Sequence, residues 1–295
     1  MGTDYIKEIE NSNVYDVAKV TPISFLNKIS SKYKNKIYLK REDLQPIFSF
    51  KCRGAYNKIS NLSDDQKSRG IIAASAGNHA QGVAMSASKL KISAVIVMPT
   101  TTPSIKIESV KKFGVEVLLF GDSFDEAYEH ALKISEEEKR IFIHPFNDPL
   151  VIAGQGTVAK EIVEQVENDP DIFFIPVGGG GLISGMSLYL KQKYPNSKVF
   201  GVESEDAPTL YASMKNGKPT SLEQVGLFVD GCAGKRIGDE TFRISNQYVD
   251  GVILVSIDET CAAIKDIYED TRIMSEPAGA LSVAGMKKYI LENEI

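Results

Sequence analysis

Three short segments hold residues whose types and spacing could do chemistry. The first is Ser49-Phe50-Lys51-Cys52-Arg53-Gly54-Ala55, which follows Pro46. A lysine is nucleophilic or basic only as the neutral amine, and two features here favour that form. If Ser49 caps a helix, Lys51 lies in its first turn, where the positive end of the helix dipole opposes a further positive charge. Phe50 and Cys52 add apolar surroundings that also penalise the ammonium. A neutral lysine amine suits Schiff-base chemistry with a carbonyl compound. An ordinary surface lysine with a buried stem would give the same local pattern, so the segment alone leaves both readings open.

The second segment is Ser75-Ala76-Gly77-Asn78-His79-Ala80-Gln81-Gly82. It follows an apolar run and opens a helical stretch. Its small residues let the backbone approach a ligand closely, and the N–H groups of such a turn can hold a carboxylate. Asn78 can donate to a ring hydroxyl or an oxyanion. A plain strand-to-helix turn capped by Asn78, with His79 structural, fits equally well.

The third is Gly178-Gly179-Gly180-Gly181-Leu182, after the apolar run 172–177. Four glycines between a buried strand and a helix leave several N–H groups unobstructed at the positive helix end, which makes a phosphate site. Glycine costs conformational entropy, so a purely structural tetraglycine is disfavoured. The spacing is not G-x-G-x-x-G, because Ile183 stands where the last glycine would fall. No G-x-x-x-x-G-K-[ST] loop is present either, so the phosphate does not belong to NAD or ATP. A fourth segment, Glu276-Pro277-Ala278-Gly279-Ala280, reads as a helix start with Pro277 in the first turn.

The elements that must position these residues are visible in the hydropathy pattern. Runs rich in Val, Ile and Phe recur at 71–74, 94–98, 115–120, 141–143, 172–177, 199–202 and 252–255. Most are apolar nearly throughout, as in strands covered on both faces. Helical stretches separate them. Over 258–271, Cys261, Ile264, Ile267 and Tyr268 share one helical face, with an acidic start but no capping box from Asp258. Alternating strands and helices predict parallel βαβ units and an α/β architecture. A boundary near 147–149 is weakly signalled, and the charged run 136–140 reads as a solvated helix end.

Composition narrows the function classes. The chain has 295 residues, 43% of them hydrophobic, enough for a sizeable core. It carries 34 basic and 39 acidic residues, a net charge of −5, without a basic stripe, which argues against nucleic acid. Cys52, Cys232 and Cys261 lack paired spacing and read as reduced thiols, not as a disulfide framework or a metal site. Residues 1–10 lack the apolar stretch of a signal peptide, and no run reaches membrane-spanning length. These features predict a cytoplasmic protein with no membrane partner.

Taken in order, the segments resemble the fold-type II family of pyridoxal-phosphate enzymes, and within it the biosynthetic threonine dehydratase (threonine ammonia-lyase) branch. The resemblance runs from Thr21-Pro22 to Lys287-Lys288-Tyr289-Ile290. It includes Val151-Ile152-Ala153-Gly154-Gln155-Gly156-Thr157 and, for that branch, Gly226-Leu227-Phe228 with 234–242. It implies pyridoxal 5′-phosphate as cofactor, with Lys51 as the Schiff-base lysine beside Phe50. Asn78 would meet the 3′-oxygen of the ring, and Gly178, Gly179, Gly180, Gly181 and Leu182 the phosphate. Ser75, Ala76, Gly77, Asn78 and His79 would take the substrate carboxylate. It also implies two three-layer α/β domains: a small one over 63–142, inserted in a large one formed by 1–62 and 143–295.

The implied reaction removes water and ammonia from L-threonine, giving 2-oxobutanoate, or from L-serine, giving pyruvate. This is the first step of isoleucine biosynthesis, and the resemblance suggests a homodimer or tetramer. The alternatives are a serine dehydratase or racemase, a β-replacing enzyme of the same fold, or an inactive remnant. Related racemases carry serine where Ala76 stands, so racemisation is not expected. Their metal site is incomplete here, since Thr209 replaces an acidic ligand beside Glu203 and Ala207. The sequence ends at Ile295, before the Ser-Gly-Ala-Asn-like segment and the isoleucine-binding regulatory domains of that branch. The expectation is weaker cofactor binding and no isoleucine inhibition from this chain alone.

Overall fold

A computed structural model describes residues 3–295. Its strands are β1 (Ile23–Phe25), β2 (Tyr38–Lys40), β3 (Ile71–Ala74), β4 (Ala94–Met98), β5 (Glu116–Leu119), β6 (Ile141–Phe142), β7 (Ile172–Pro176), β8 (Lys198–Ser204) and β9 (Gly251–Val255). Its helices are α1 (Tyr5–Glu10), α2 (Asn27–Tyr33), α3 (Lys51–Ser60), α4 (Asp64–Arg69), α5 (Asn78–Leu90), α6 (Ser104–Lys111), α7 (Phe124–Glu137), α8 (Pro149–Gln165), α9 (Gly181–Lys193), α10 (Thr209–Asn216), α11 (Asp239–Tyr248), α12 (Ile257–Thr271) and α13 (Pro277–Asn293). The chain forms two compact units. One comprises residues up to Val20 with Glu42–Thr157, the other Thr21–Arg41 with Val158–Ile295.

The first unit is built on a parallel sheet of order β5-β4-β3-β6. Successive strand residues point to opposite faces, and both faces are covered. Ile71, Ala73, Ile96 and Met98 join Ala55 and Ile59 of α3 and Val83, Ala84 and Ala87 of α5 in one apolar cluster. Ile72, Ala74, Val95 and Val97 pack with Ala127 and Ala131 of α7 in another. That is why β3 and β4 read as unbroken apolar runs. At the sheet edge, β5 is only half buried. All four strands fall within the 63–142 span, but the compact unit is wider because α3 packs against α5 and α8. A Cβ on Gly82 would lie 2.9 Å from the Lys51 carbonyl oxygen, and one on Gly154 would lie 2.7 Å from the Gly54 Cα. Only glycine admits such close backbone approach.

The second unit carries the parallel sheet β7-β8-β9 and the antiparallel pair β1-β2, in which Ile23 faces Lys40. Val202 and Val255 pack with Leu26, Ile29 of α2, Ile267 of α12, and Leu281 and Ala284 of α13. The pair β1-β2 left no signal in the hydropathy pattern, because it is three residues per strand with Phe25 and Tyr38 exposed. α12 does have a capping box, starting two residues before Asp258. The Ser256 hydroxyl accepts the Glu259 N–H, and the Glu259 carboxylate accepts the Ser256 N–H. Pro277 opens α13 as its composition predicts. Among the described residues no helix is long and apolar enough to cross a membrane.

Candidate active site

Lys51 is the first residue of α3. The cap is Phe50 in a helical conformation, one residue later than expected, and Ser49 contributes only a 3.4 Å contact from its Oγ to the Lys51 N–H. No side chain caps the helix, so its positive end is not neutralised beside the lysine. The Lys51 Nζ donates to the Pro145 carbonyl at 3.3 Å and lies 5.3 Å from the centre of the Phe50 ring.

A buried network fixes the chain that leads into α3. Arg53 is fully buried, and its Nε and Nη2 each donate to the Glu42 carboxylate at 2.8 Å. Its remaining donors reach Thr157 Oγ1 at 3.1 Å and the Lys19 carbonyl at 3.2 Å. Gln45 clamps the backbone of Lys19, accepting its N–H at 2.9 Å and donating to its carbonyl at 2.8 Å. Between these anchors Phe48 adopts φ +58°, a left-handed conformation unusual for a bulky residue, although its ring is exposed. Burial first, and then the Glu42 charge, push the neighbouring Cys52 thiol up to about 12, so it stays protonated and inert.

The segment 75–79 joins β3 to α5 in the same unit. Gly77, not Asn78, occupies the cap position, and Asn78 is the first helical residue. The Gly77 N–H donates to Ser75 Oγ at 3.2 Å. Ser75, Ala76, Gly77 and Asn78 are half-buried. His79 is buried, with Nε2 2.9 Å from the Ile143 carbonyl. Burial and the Lys51 charge push its imidazole down to about 3. It is therefore neutral and donates from Nε2 to that carbonyl.

The glycine loop belongs to the second unit. Gly178 follows β7, and Gly180 has φ +90° as the residue before α9. A Cβ on Gly180 would lie 2.9 Å from the Thr241 Cβ, and one on Gly178 3.0 Å from the Cys232 Cα. Thr241 Oγ1 lies 2.8 Å from the Gly179 carbonyl and 3.1 Å from that of Gly238. Thr209 Oγ1 lies 3.3 Å from the Gly178 carbonyl and 3.0 Å from Glu203 Oε1. With these carbonyls tied back, the loop presents the first N–H groups of α9, which no helical turn can satisfy. Gly181 is buried and Leu182 half-buried there.

Three features of these surroundings were not legible in sequence. Glu203 is fully buried and caps α10, accepting the N–H groups of Leu210 at 2.8 Å and Tyr211 at 2.9 Å. Burial pushes its carboxyl up to about 7, partly offset by those N–H groups. His144 and the Glu42–Arg53 pair are the others. All three depend on partners that only the tertiary fold brings close.

Comparisons with known proteins identify the family. A family profile described as "Pyridoxal-phosphate dependent enzyme" matches residues 14–295. The chain is 55% identical over 294 residues to "L-threonine dehydratase biosynthetic IlvA" of Pasteurella multocida, covering 100% of this chain and 57% of that protein. It is 54% identical to "Threonine dehydratase, mitochondrial" of Saccharomyces cerevisiae, covering 97% of this chain and 50% of the relative. The chain thus spans about half the length of these curated relatives. Among solved structures, the processed form of threonine deaminase isoform 2 from Solanum lycopersicum superposes with a TM-score of 0.97 at 45% identity, covering 100% of this chain and 87% of that one. Maize serine racemase gives 0.91 at 34% identity, with coverage of 96% and 85%. Pyridoxal phosphate needs an amine for its aldehyde and an anion cradle for its phosphate. Lys51 carries such an amine at the start of α3, and the turn before α9 has glycines at which a Cβ would clash. By profile, relatives and fold, this chain belongs to the family of pyridoxal-phosphate dependent enzymes, in its fold-type II architecture.

Proposed function

We propose that this chain removes water and ammonia from L-threonine to give 2-oxobutanoate, and from L-serine to give pyruvate, as the first step of isoleucine biosynthesis. The observation that carries the reading is the 55% identity, over the whole of this chain, to a relative named a biosynthetic threonine dehydratase. When bound, pyridoxal phosphate supplies the aldehyde and the electron sink. Lys51 is the covalent anchor, and its freed Nζ takes the Cα proton of the substrate. Phe50 flanks the lysine, and Asn78 donates to the ring oxygen. The N–H groups of Gly178, Gly179, Gly180, Gly181 and Leu182 hold the phosphate. Those of the segment Ser75, Ala76, Gly77, Asn78 and His79 hold the substrate carboxylate.

Ala76 has no proton to transfer, so the chain dehydrates without racemising, unlike the relatives named serine racemase. The small domain is assigned to 63–142 and the large to 1–62 and 143–295, because every strand of each sheet falls on one side of that division. A cytoplasmic location fits three cysteines that form no disulfide, and the resemblance to this family suggests a homodimer or tetramer. Release of ketoacid from threonine and from serine, with added pyridoxal phosphate, tests the reaction. No ketoacid from threonine, or accumulation of D-serine from L-serine, would overturn it.

A further inference from the structure

The segment 143–148 of the first unit is held at three places, and nothing in the proposed reaction uses it. The Ile143 carbonyl takes the His79 imidazole at 2.9 Å. His144 Nδ1 accepts two amides of its own turn, those of Phe146 at 3.2 Å and Asn147 at 2.8 Å. Asp148 Oδ1 accepts the Leu150 N–H of α8 at 2.9 Å, while its other oxygen pairs with Lys58 at 2.7 Å. At the centre lies Pro145, whose carbonyl receives the Lys51 amine.

A turn clamped this firmly presents one group, the Pro145 carbonyl, at one place. His144 is what closes it. Its ring lies 4.7 Å, edge to face, from that of Phe146 and near those of Tyr128 and Phe142. Because Nδ1 accepts two N–H groups, its lone pair is committed and the ring proton sits on Nε2. Burial holds the imidazole neutral, pushed down to about 4, so the acceptor persists at neutral pH.

Resting on the reading that Lys51 is the covalent anchor, we propose that His144 is a positioning residue: by closing the 144–147 turn through Nδ1, it fixes the Pro145 carbonyl as the docking point of the Lys51 amine whenever that amine is not covalently engaged. A lysine that is released and re-engaged in each turnover needs a defined place to wait. The Pro145 carbonyl supplies one through an acceptor that cannot take up the amine's proton.

The test uses the pair His144→Asn and His144→Phe. Asparagine places Oδ1 where Nδ1 was and can accept the same i+2 and i+3 amides; phenylalanine keeps the ring and loses the acceptor. In protein freed of pyridoxal phosphate, Lys51 and Lys58 are labelled competitively with trace acetic anhydride and read by peptide mass spectrometry. His144→Phe is expected to raise the labelling of Lys51 about fivefold, the value of one lost hydrogen bond, and to leave Lys58 unchanged. His144→Asn is expected to label as the parent does. In the loaded enzyme, His144→Phe is expected to lower kcat with threonine and leave KM unchanged. Unchanged Lys51 labelling overturns the proposal. So does an equal rise at Lys58, which would mean general loosening of the segment, and so does failure of asparagine to restore the parent pattern. Borohydride reduction of the loaded parent separates the two readings. A pyridoxyl mass on another lysine removes the anchor role of Lys51 but leaves the labelling result readable.

Discussion

In the proposed reaction the group that does chemistry at the start of α3 is a side chain, and at the start of α9 it is the backbone. The two helix N-termini therefore impose opposite demands on their surroundings. Lys51 needs acceptors, apolar neighbours and a rigid approach, which Pro145, Phe50 and the Arg53–Glu42 pair provide. The glycine loop needs side chains to be missing, with Thr241 and Cys232 packed where a Cβ would go. Neither helix spends its first turn on a side-chain cap. The helices with complete capping boxes, α4, α7 and α12, carry no candidate residue. The difference teaches that the first unit should fail through lost function at named side chains, and the second through steric insult at positions where the ligand sees only amides.

The largest effect is expected at the lysine. Lys51→Ala should lower ketoacid release from threonine by at least ~10³-fold, since it removes both anchor and base. Unfolding should be nearly unchanged, because Lys51 is a half-buried end of a helix. Turnover close to that of the parent would break the assignment of chemistry to the first unit.

Next comes the network behind it. Glu42→Gln leaves the fully buried Arg53 without its charge partner. A cost of about 3 kcal/mol follows for a buried charge left uncompensated, to be read as a lower urea midpoint. The neighbouring backbone to Lys51 should lose hydrogen-exchange protection together with it. In the second unit, Gly180→Ala forces a Cβ into a residue at φ +90° and against Thr241. We expect about 1–3 kcal/mol of destabilisation and weaker uptake of pyridoxal phosphate in a fluorescence titration. Full retention of cofactor affinity would break the claim that the loop works through its bare backbone.

How far the sequence revealed this follows from range. Each of the seven apolar runs is a strand, since covering both faces of a parallel sheet forces an unbroken pattern that needs no distant information. The tetraglycine turn between strand and helix was legible for the same reason: its pattern is local. Lys51 was not secure locally, because its decisive neighbours lie far along the chain; the resemblance, not the pattern, singled it out. Ser49 was misplaced as the cap because a serine before a helix is the common solution, whereas here Phe50 takes the position with no cap at all. His144, the capping role of Glu203 and the exposed pair β1-β2 were unreadable, being defined by partners or by pairing and not by period.

The two units should also answer acid in opposite ways. His79 and His144 are held below their usual 6.5, at about 3 and about 4, by burial. The unfolded chain therefore binds more protons than the folded one below 6.5, and their contribution is lost as pH falls toward those values. Glu203 is held above its usual 4.5, at about 7. Its contribution is fully present below 4.5 and is lost as pH rises through 7. Hydrogen exchange, corrected for intrinsic rates and followed from about pH 7 to pH 5, should show α5 losing protection while α10 gains it. Glu203→Gln should flatten the response of α10 alone. Parallel responses of both helices would break this contrast.

The smallest effect tests the claim about caps. Ser123→Ala in α7 and Ser256→Ala in α12 each remove the hydroxyl of a complete capping box, one in each unit. Each should cost about 1 kcal/mol, seen as a small fall in melting temperature. Neither should change kcat or KM with threonine, because neither helix start carries a candidate residue. The cost should also be equal in the two units, since a cap is a local bargain between a hydroxyl and one turn. A loss of turnover from either substitution would mean that capped N-termini also serve the reaction, and the distinction between spent and unspent helix ends would fall.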